Sequence, residues 1–294
     1  MEYEQQYQFY LNQIETRLHE IERDVWNPES QISKAAFYSL LGGGKRIRSI
    51  LCMAVCDMLG GPLKLACEYA SALEMVHCYS LIHDDLPCMD NDDFRRGKPS
   101  CHKAFGEAQA LLAGDALLTG AFEILACAPC AHAQQNVEAV KILSRAAGCC
   151  GMIWGQELDL RFEKEAATEQ QLQTIHENKT GKLIDASAQL GAVAACADSS
   201  SIAVISDYAF SIGLVFQIVD DILDVTATSE VLGKPAGSDQ ENGKTTFVTL
   251  YGIPRSLEMA KEITEKACSD IRKKFGEKAV FLEKLAYSLL QRNK

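Results

Sequence analysis

The chain has 294 residues, of which 47% are hydrophobic and 23% are charged, proportions typical of a globular protein with a sizeable core. The formal net charge of −11 argues against a general nucleic-acid-binding protein, whose surface is basic. An anionic ligand must therefore be bound by local clusters of Lys and Arg.

Helical periodicity runs through almost the whole chain. Apolar residues recur at helical spacing from Ile47 to Met58, and a second helix extends from Leu65 to about His83, shortly before Pro87. Further helices are predicted over residues 5–25, 106–126, 136–160, 168–197, 201–225, 248–275 and 278–292. Strand signals are nearly absent and no linker divides the chain. The sequence predicts a single all-α domain over residues 1–294.

The start of the chain and its cysteines bear on cellular location. The first residues, MEYEQQYQFY, lack the basic and apolar regions of a signal peptide, and no uninterrupted apolar run reaches the length of a membrane span. We interpret the twelve cysteines as mostly buried thiols in helix-like runs, such as Cys52, Cys56, Cys67, Cys78 and Cys127. We therefore expect a cytoplasmic protein without a transmembrane segment.

The stretch HDDLPCMDNDDFRR carries five aspartates within ten positions, namely Asp84, Asp85, Asp90, Asp92 and Asp93. Like charges this close repel one another, so the stretch is either a solvated loop or a cation site. An EF-hand does not fit, because Phe94 or an arginine falls where an oxygen ligand is required.

A second acidic cluster lies in FQIVDDILDV. Its polar residues are spaced to share one helix face, and no basic residue on that stripe neutralises them: Gln217, Asp220, Asp221 and Asp224. A solvated acidic face is the alternative interpretation. Two such clusters, each at the end of an apolar helix, favour a Mg²⁺ site between facing helices.

Basic residues near the first cluster indicate a phosphate site. Lys45 and Arg48 are predicted in the first turn of a helix, directly after Gly42–Gly44, where backbone N–H groups and the helix dipole attract a diphosphate. A Walker A loop is excluded because Arg46 follows Lys45. His77 lies two turns before Asp84, and a ligand role and a core role both remain open. The long segment 226–246 is predicted to be functional.

Together these motifs resemble those of the trans-prenyltransferase family, most closely the bacterial-type farnesyl diphosphate synthases. The similarity runs in order through GGGKRIR, LIHDDLPCMDNDDFRRGKPSCH, AGDALL, GQELDL, KTGKLI, FQIVDDILD and LGKPAGSDQENGKTTF. The resemblance implies an all-α isoprenoid-synthase bundle around a deep cavity, assembled as a homodimer. It also implies the substrates isopentenyl, dimethylallyl and geranyl diphosphate, which the enzyme would join into farnesyl diphosphate.

The resemblance assigns roles to individual residues. Three Mg²⁺ ions would be held by Asp84, Asp90 and Asp220, with catalytic help from Asp85, Asp221, Asp224, Lys179 and Lys234. The allylic diphosphate would be bound by Arg95, Lys179, Thr180, Gln217, Lys234 and Lys244. Isopentenyl diphosphate would be bound by Lys45, Arg48, His77 and Arg96. Gln156 and Asp159 would line the cavity without an assigned role.

Product length is assigned by the same resemblance to Tyr79, five residues before Asp84. Its bulk is similar to that in enzymes that form C15 products, whereas helix geometry alone nominates Ser80, which lies closer to the Asp84 face. Three alternatives remain open: a geranylgeranyl (C20) diphosphate synthase, a class I terpene cyclase and a non-catalytic partner subunit.

Overall fold

The computed structural model describes residues 2–24, 26–130, 132–162, 165–226 and 244–292. Helices dominate these residues, which confirms the all-α prediction. Backbone contacts divide the chain into two compact units: unit 1 (Met1–Lys141 and Val193–Cys196) and unit 2 (Ile142–Ala192 and Ala197–Lys294). That the whole chain forms one domain around a deep cavity remains a prediction.

Unit 1 is built mainly from six helices: α1 (Tyr3–Asp24), α2 (Gln31–Leu40), α3 (Ile47–Met58), α4 (Leu63–Asp84), α5 (Cys101–Phe105) and α6 (Glu107–Cys127). α4 packs against α3 and α6, and most of its side chains are buried. Its approach to α6 depends on Gly114, where a Cβ atom would lie 2.1 Å from His83 Nε2. This packing places the end of α4, and with it the first acidic motif.

A short hairpin follows the first acidic motif. β1 (Phe94–Arg95) pairs with β2 (Lys98–Pro99) in antiparallel orientation. The connecting residues Arg96 and Gly97 have φ values of 53° and 74°, the backbone signature of a two-residue hairpin turn. No strand pattern was visible in this part of the sequence because each strand has only two residues.

Helix α7 (Ala133–Ala147) runs from unit 1 into unit 2, whose other helical elements are α8 (Met152–Phe162), α9 (Glu169–His176), a π-helix (Glu177–Gly181), α10 (Lys182–Ala194), α11 (Ser199–Thr226), α12 (Phe247–Phe275), a 3₁₀ turn (Gly276–Ala279) and α13 (Val280–Leu290). The prediction of one helix over residues 136–160 is wrong, because the helix is interrupted between α7 and α8. At Gly151, a Cβ atom would lie 2.1 Å from the Ala146 carbonyl oxygen. The predicted helix over 168–197 contains the π-helix.

The core of unit 2 lies where α11 packs along α12. Its fully buried members include Val215, Ile218, Val219 and Phe247, joined by Leu172, Ile222 and Ala260. Val215, Val219 and Ile222 recur at helical spacing and together form the apolar side of α11.

The burial of two long apolar helices and the exposure of one cysteine bear on two of the predictions. α6 and α11 are long and apolar enough to cross a membrane by length and composition alone, and 44% of each apolar window is buried inside the structure. Core helices pass the same test, so the absence of a transmembrane segment remains a prediction. Cys127 is exposed, contrary to its predicted burial, because it ends α6 at the surface.

Candidate active site

An arginine side chain packs against the glycine segment Gly42–Gly44 in unit 1. Gly43 and Gly44 have φ values of 86° and 131°, which other residues rarely adopt. Arg96 donates a hydrogen bond from Nη1 to the Gly43 carbonyl oxygen, and a Cβ atom at Gly44 would lie 2.9 Å from Arg96 Cζ. Because Gly44 has no side chain, the guanidinium can lie against the backbone. The glycine segment and Arg96, two parts of the predicted phosphate site, are therefore in contact.

His77, on α4, lies among arginines. Arg48 Nη1 donates to His77 Nε2 at 3.4 Å. Burial, followed by the charges of Arg48, Arg96, Arg46 and Arg95, holds the pKa of His77 well below its usual range. His77 is therefore neutral at pH 7 and accepts from Arg48. The structure brings Arg48, His77 and Arg96 together as predicted, and binding of isopentenyl diphosphate there remains a prediction.

Lys45 lies before α3, not in its first turn as helical spacing indicated. α3 begins at Ile47, and the N-cap residue Arg46 has a left-handed backbone with φ of 52°. The Lys45 carbonyl oxygen accepts a hydrogen bond of 2.5 Å from the Tyr7 hydroxyl. This bond holds the backbone beside the glycine segment and leaves the Lys45 side chain exposed.

Arg46 anchors this segment, a role that the sequence analysis missed. Its guanidinium donates to Glu15 Oε1 at 2.7 Å, to Glu74 Oε2 at 3.1 Å and to the Leu40 carbonyl oxygen at 2.6 Å. The Arg46 side chain is only 1% exposed and that of Glu74 only 2%. A buried arginine satisfied in this way fixes both ends of the loop that carries the glycines.

The first acidic motif folds back on itself at the end of α4. The Asp90 backbone N–H donates to the Asp84 carbonyl oxygen at 2.9 Å, across the intervening residues 86–89. The Asp84 side chain is half-buried and the Asp90 side chain is exposed. Two predicted metal ligands are therefore held next to each other with their carboxylates within reach of solvent.

Asp85 points into the protein instead. It accepts hydrogen bonds from Arg95 Nε at 2.9 Å and from Arg95 Nη2, and the latter nitrogen also lies 3.4 Å from Asp92 Oδ2. Burial raises the pKa of the Asp85 carboxyl above its ordinary value, although Arg95 acts against this rise. In this structure, two aspartates of the motif thus engage Arg95, which was predicted to bind the allylic substrate.

Tyr79 and Ser80 occupy different environments on α4. The Tyr79 ring is 6% exposed and meets the His83 ring edge-on, with ring centres 5.6 Å apart. His83 Nε2 lies 3.0 Å from the Leu111 carbonyl oxygen of α6. The Ser80 hydroxyl donates to the His77 carbonyl oxygen at 2.8 Å. Tyr79 is therefore braced, and its role in product length remains a prediction.

In unit 2, two predicted phosphate-binding lysines converge on Asp159. Lys179 Nζ lies 2.6 Å from Asp159 Oδ2, and Lys244 Nζ lies 2.9 Å from Oδ1 and 3.0 Å from Oδ2. Burial favours the neutral carboxyl, but the two ammonium groups outweigh it and lower the pKa of Asp159 to about 2. The Asp159 carboxyl is therefore ionised at pH 7 and lies between the two lysine nitrogens.

Three more predicted residues belong to this part of the chain. Thr180 is buried in the π-helix beside Lys179. Gln156 is half-buried on α8. Lys234 lies outside the described residues, as does most of the segment 226–246.

The second acidic motif is neutralised in part, contrary to the sequence prediction. Arg292 Nη2 lies 2.5 Å from Asp220 Oδ1 and donates to the Phe216 carbonyl oxygen at 2.7 Å. The guanidinium also lies over the Phe216 ring, with Cζ 3.9 Å from its centre. Arg292 was missed because it follows the motif by 72 residues.

Asp221 and Asp224 are buried rather than solvated. Asp221 Oδ2 accepts a hydrogen bond of 2.8 Å from the backbone N–H of Phe247, one of the N–H groups that the start of α12 leaves without a helical partner. Asp221 thus attaches α12 to α11, and its contribution to catalysis remains a prediction.

Gln217 is oriented by His176, a second residue that the sequence analysis missed. His176 Nδ1 donates to Gln217 Oε1 at 3.0 Å, and the His176 ring stacks on Phe247 with ring centres 5.5 Å apart. Burial lowers the pKa of His176 to about 4, so the ring is neutral at pH 7. The only sequence signal was the position of His176 shortly before the KTG motif.

The predicted Mg²⁺ ligands suit that ion by donor chemistry. Asp84, Asp90 and Asp220 offer hard carboxylate oxygens, and each side chain is at least partly exposed. Among the described residues, no group of three or more His, Cys, Asp or Glu side chains is arranged to hold a metal. Mg²⁺ commonly takes one or two protein carboxylates and completes its shell with water and substrate phosphate, so the residues fit. Whether the two motifs face each other remains a prediction.

Solved structures share this fold over nearly its full length. A geranyltransferase from Legionella pneumophila is 40% identical, with a TM-score of 0.89 over 99% of this chain and 97% of that chain. A geranyltransferase from Helicobacter pylori, complexed with magnesium and isoprenyl diphosphate, is 36% identical, with a TM-score of 0.83 over 97% and 96%. The fold class is therefore that of the isoprenyl synthases.

Sequence relatives narrow the class to a family. A putative geranylgeranyl pyrophosphate synthase 8 of Arabidopsis thaliana is 45% identical over 89% of this chain and 74% of its own length. Geranylgeranyl pyrophosphate synthase 4 of the same organism is 48% identical over 82% of this chain and 64% of its own length. The sequence profile described as Polyprenyl synthetase matches residues 29–285. The chain belongs to the polyprenyl synthetase family and is a trans-prenyltransferase.

Proposed function

We propose that this prenyltransferase joins isopentenyl diphosphate to dimethylallyl and geranyl diphosphates and forms farnesyl diphosphate. The observation that carries this proposal is the presence of two cation-rich clusters, one in each unit. Arg48 and Arg96 surround neutral His77 in unit 1, and Lys179 and Lys244 meet in unit 2. A condensation of two diphosphates needs two such clusters, whereas a class I terpene cyclase ionises one substrate and needs only one.

The proposed reaction breaks the C1–O bond of the allylic diphosphate and joins allylic C1 to C4 of isopentenyl diphosphate. Asp84, Asp90 and Asp220 would hold Mg²⁺, expected as three ions, and the bound metal would supply positive charge to the leaving diphosphate. Lys179 and Lys244 add their charges to the same leaving group and favour ionisation. The C2 proton of the acceptor then leaves, and the released diphosphate is the expected proton acceptor.

The acceptor diphosphate stays attached throughout this reaction, so its site needs binding without ionisation. Lys45, Arg48 and Arg96 supply cations there, and no aspartate is assigned to that group. Neutral His77 suits such a site, because a hydrogen bond accepted from Arg48 holds the guanidinium in place.

Two product lengths compete. The named Arabidopsis relatives are geranylgeranyl pyrophosphate synthases, which favours C20. The bulk of Tyr79 and its bracing by His83 favour C15, because a ring held by a neighbour cannot easily move aside for a longer chain. We therefore propose C15 as the main product.

Chain-length analysis tests the proposal. The purified chain is incubated with Mg²⁺, labelled isopentenyl diphosphate and one primer, which is dimethylallyl, geranyl or farnesyl diphosphate. We expect C15 products from the first two primers and no extension of the third. A C20 product from farnesyl diphosphate would overturn the C15 assignment. If no primer is extended, the prenyltransferase proposal fails, and a chelator control shows whether extension needs the metal.

We also propose a homodimer in the cytoplasm. All twelve cysteines lie among the described residues and all are free thiols, which suits a reducing compartment. Light scattering after size-exclusion chromatography should give about twice the chain mass of 32.3 kDa. A mass equal to that of one chain would contradict the dimer.

A further inference from the structure

Asp159 is a buried acid to which the proposed chemistry assigns no step. It belongs to α8, one helical turn after Gly155, and these two residues share a helix face. A Cβ atom at Gly155 would lie 2.0 Å from the Lys179 backbone nitrogen, so α8 lies directly on the π-helix there. This close packing brings the Asp159 carboxylate to the Lys179 ammonium.

The second lysine reaches the same carboxylate from a different element. Lys244 comes just before α12, where the Thr246 hydroxyl accepts from the Thr249 backbone N–H and caps the helix. The adjacent Thr245 hydroxyl accepts a hydrogen bond of 3.0 Å from the Ala167 backbone N–H. The backbone that directly follows Lys244 is thus held by hydrogen bonds at Thr245 and Thr246.

The three charged groups form an ordered arrangement. Both ammonium nitrogens bond to the same oxygen, Asp159 Oδ2, so they can be no farther apart than those two bonds laid end to end. The Asp159 side chain is 7% exposed, whereas those of Lys179 and Lys244 are 27% and 28% exposed. A ligand that approaches from solvent therefore meets the two cations, with the carboxylate behind them.

We propose that Asp159 is a positioning residue, whose carboxylate holds the Lys179 and Lys244 ammonium groups side by side as a clamp for a diphosphate. Without the carboxylate, the two cations would repel each other and separate. Each would also lose its proton more readily, since burial and a like charge disfavour the ammonium form. This inference rests on the proposed function, because the diphosphate is that of the allylic substrate.

A purely structural role is the competing explanation, since buried ion clusters often serve folding alone. A placeholder role is another, in which Asp159 competes with the diphosphate for the lysines. The three explanations predict different effects of Asp159→Asn, which keeps the shape and removes the charge. Positioning predicts weaker diphosphate binding, a structural role predicts unchanged binding by the folded protein, and a placeholder predicts tighter binding.

The experiment measures binding of inorganic diphosphate by calorimetry between pH 6.5 and 10, with and without Mg²⁺. For Asp159→Asn, we expect about tenfold weaker binding, because two charge-assisted contacts lose their geometry. We also expect the loss of binding at high pH to begin about one pH unit lower, because the lysines deprotonate earlier. His176, which interacts electrostatically with all three groups, stays neutral over this range because its pKa is about 4.

The matched control is Asp185→Asn. Asp185 is equally buried in unit 2 and bonds to Ser206 and Gln189 rather than to a lysine ammonium. Its change should leave both the affinity and the pH profile as in the unchanged protein. Binding by Asp159→Asn that is unchanged or tighter overturns the proposal.

A second variant covers the case in which Asp159→Asn does not fold. Asp159→Glu keeps the buried charge but displaces both ammonium groups by one methylene. We expect binding weaker by about fivefold with the same pH profile, and an unaltered affinity overturns the positioning role. Because the measurement is binding of diphosphate, it is separate from condensation: a protein that binds diphosphate but extends no primer refutes the proposed function alone.

Discussion

Replacement of Arg46 by methionine tests how the loop that carries Gly42–Gly44 is held in place. In the folded protein the guanidinium makes three hydrogen bonds, two of them to the carboxylates of Glu15 and Glu74. Arg46→Met removes the cation but leaves the Glu74 carboxylate, 2% exposed, with a hydrogen bond of 2.8 Å from the neutral Ser49 hydroxyl. Breaking one side of a buried ion pair costs about 3–5 kcal/mol.

That cost is a large share of a typical stability of about 5–15 kcal/mol, so equilibrium urea denaturation followed by circular dichroism should detect it easily. Addition of Glu74→Leu to Arg46→Met removes the unpaired charge and should recover most of the loss, because Glu15 is 31% exposed and can be hydrated. As a control, Arg255→Met breaks the exposed pairs with Glu258 and Glu262 and should cost about 1 kcal/mol or less. A loss below about 1 kcal/mol for Arg46→Met would refute this reasoning.

Three predictions concern activity. Asp84→Ala or Asp220→Ala should lower kcat by about 100-fold or more, and near-normal turnover would remove the metal-site assignment. The melting temperature should be retained for Asp84→Ala, since relieved acidic repulsion offsets lost contacts, but should fall for Asp220→Ala, which leaves the buried Arg292 without its carboxylate. Tyr79→Met should lengthen the main product measured by chromatography, and an unchanged C15 product would mean that another residue sets the length. Lys45→Ala should raise KM for isopentenyl diphosphate by about tenfold and leave that of geranyl diphosphate nearly unchanged, whereas equal increases would contradict separate sites.

Local sequence patterns predicted the residue positions that the geometry of a single helix determines. Helical spacing alone places Val215, Val219 and Ile222 on one side of α11, because a helix fixes which residues share a face, but it did not indicate that Asp221 and Asp224 are buried as well. The same spacing misplaced Lys45, since it continued the α3 pattern through Arg46. The left-handed backbone at Arg46 is stabilised by long-range partners such as Glu74, and no local pattern indicates those.

The missed residues share one cause: each acts through a partner far away in the sequence. Arg292 reaches Asp220 across 72 residues, and His176 reaches Gln217 across 41. Side-chain periodicity of 3.6 residues also cannot indicate a π-helix, which aims Lys179 at Asp159. The sequence motifs identified the reactive side chains, whereas tertiary packing determines which of them are in contact.

The central claim is that the allylic C1–O bond breaks while two diphosphates are held apart. Geranyl diphosphate carrying ¹⁸O at the oxygen between C1 and phosphorus tests it directly, in a reaction with isopentenyl diphosphate and Mg²⁺ followed by mass spectrometry. All of the label should leave in free diphosphate, and none should stay in the lengthened product. Label retained on the carbon chain would contradict the account, because it would mean that a P–O bond had been cleaved instead.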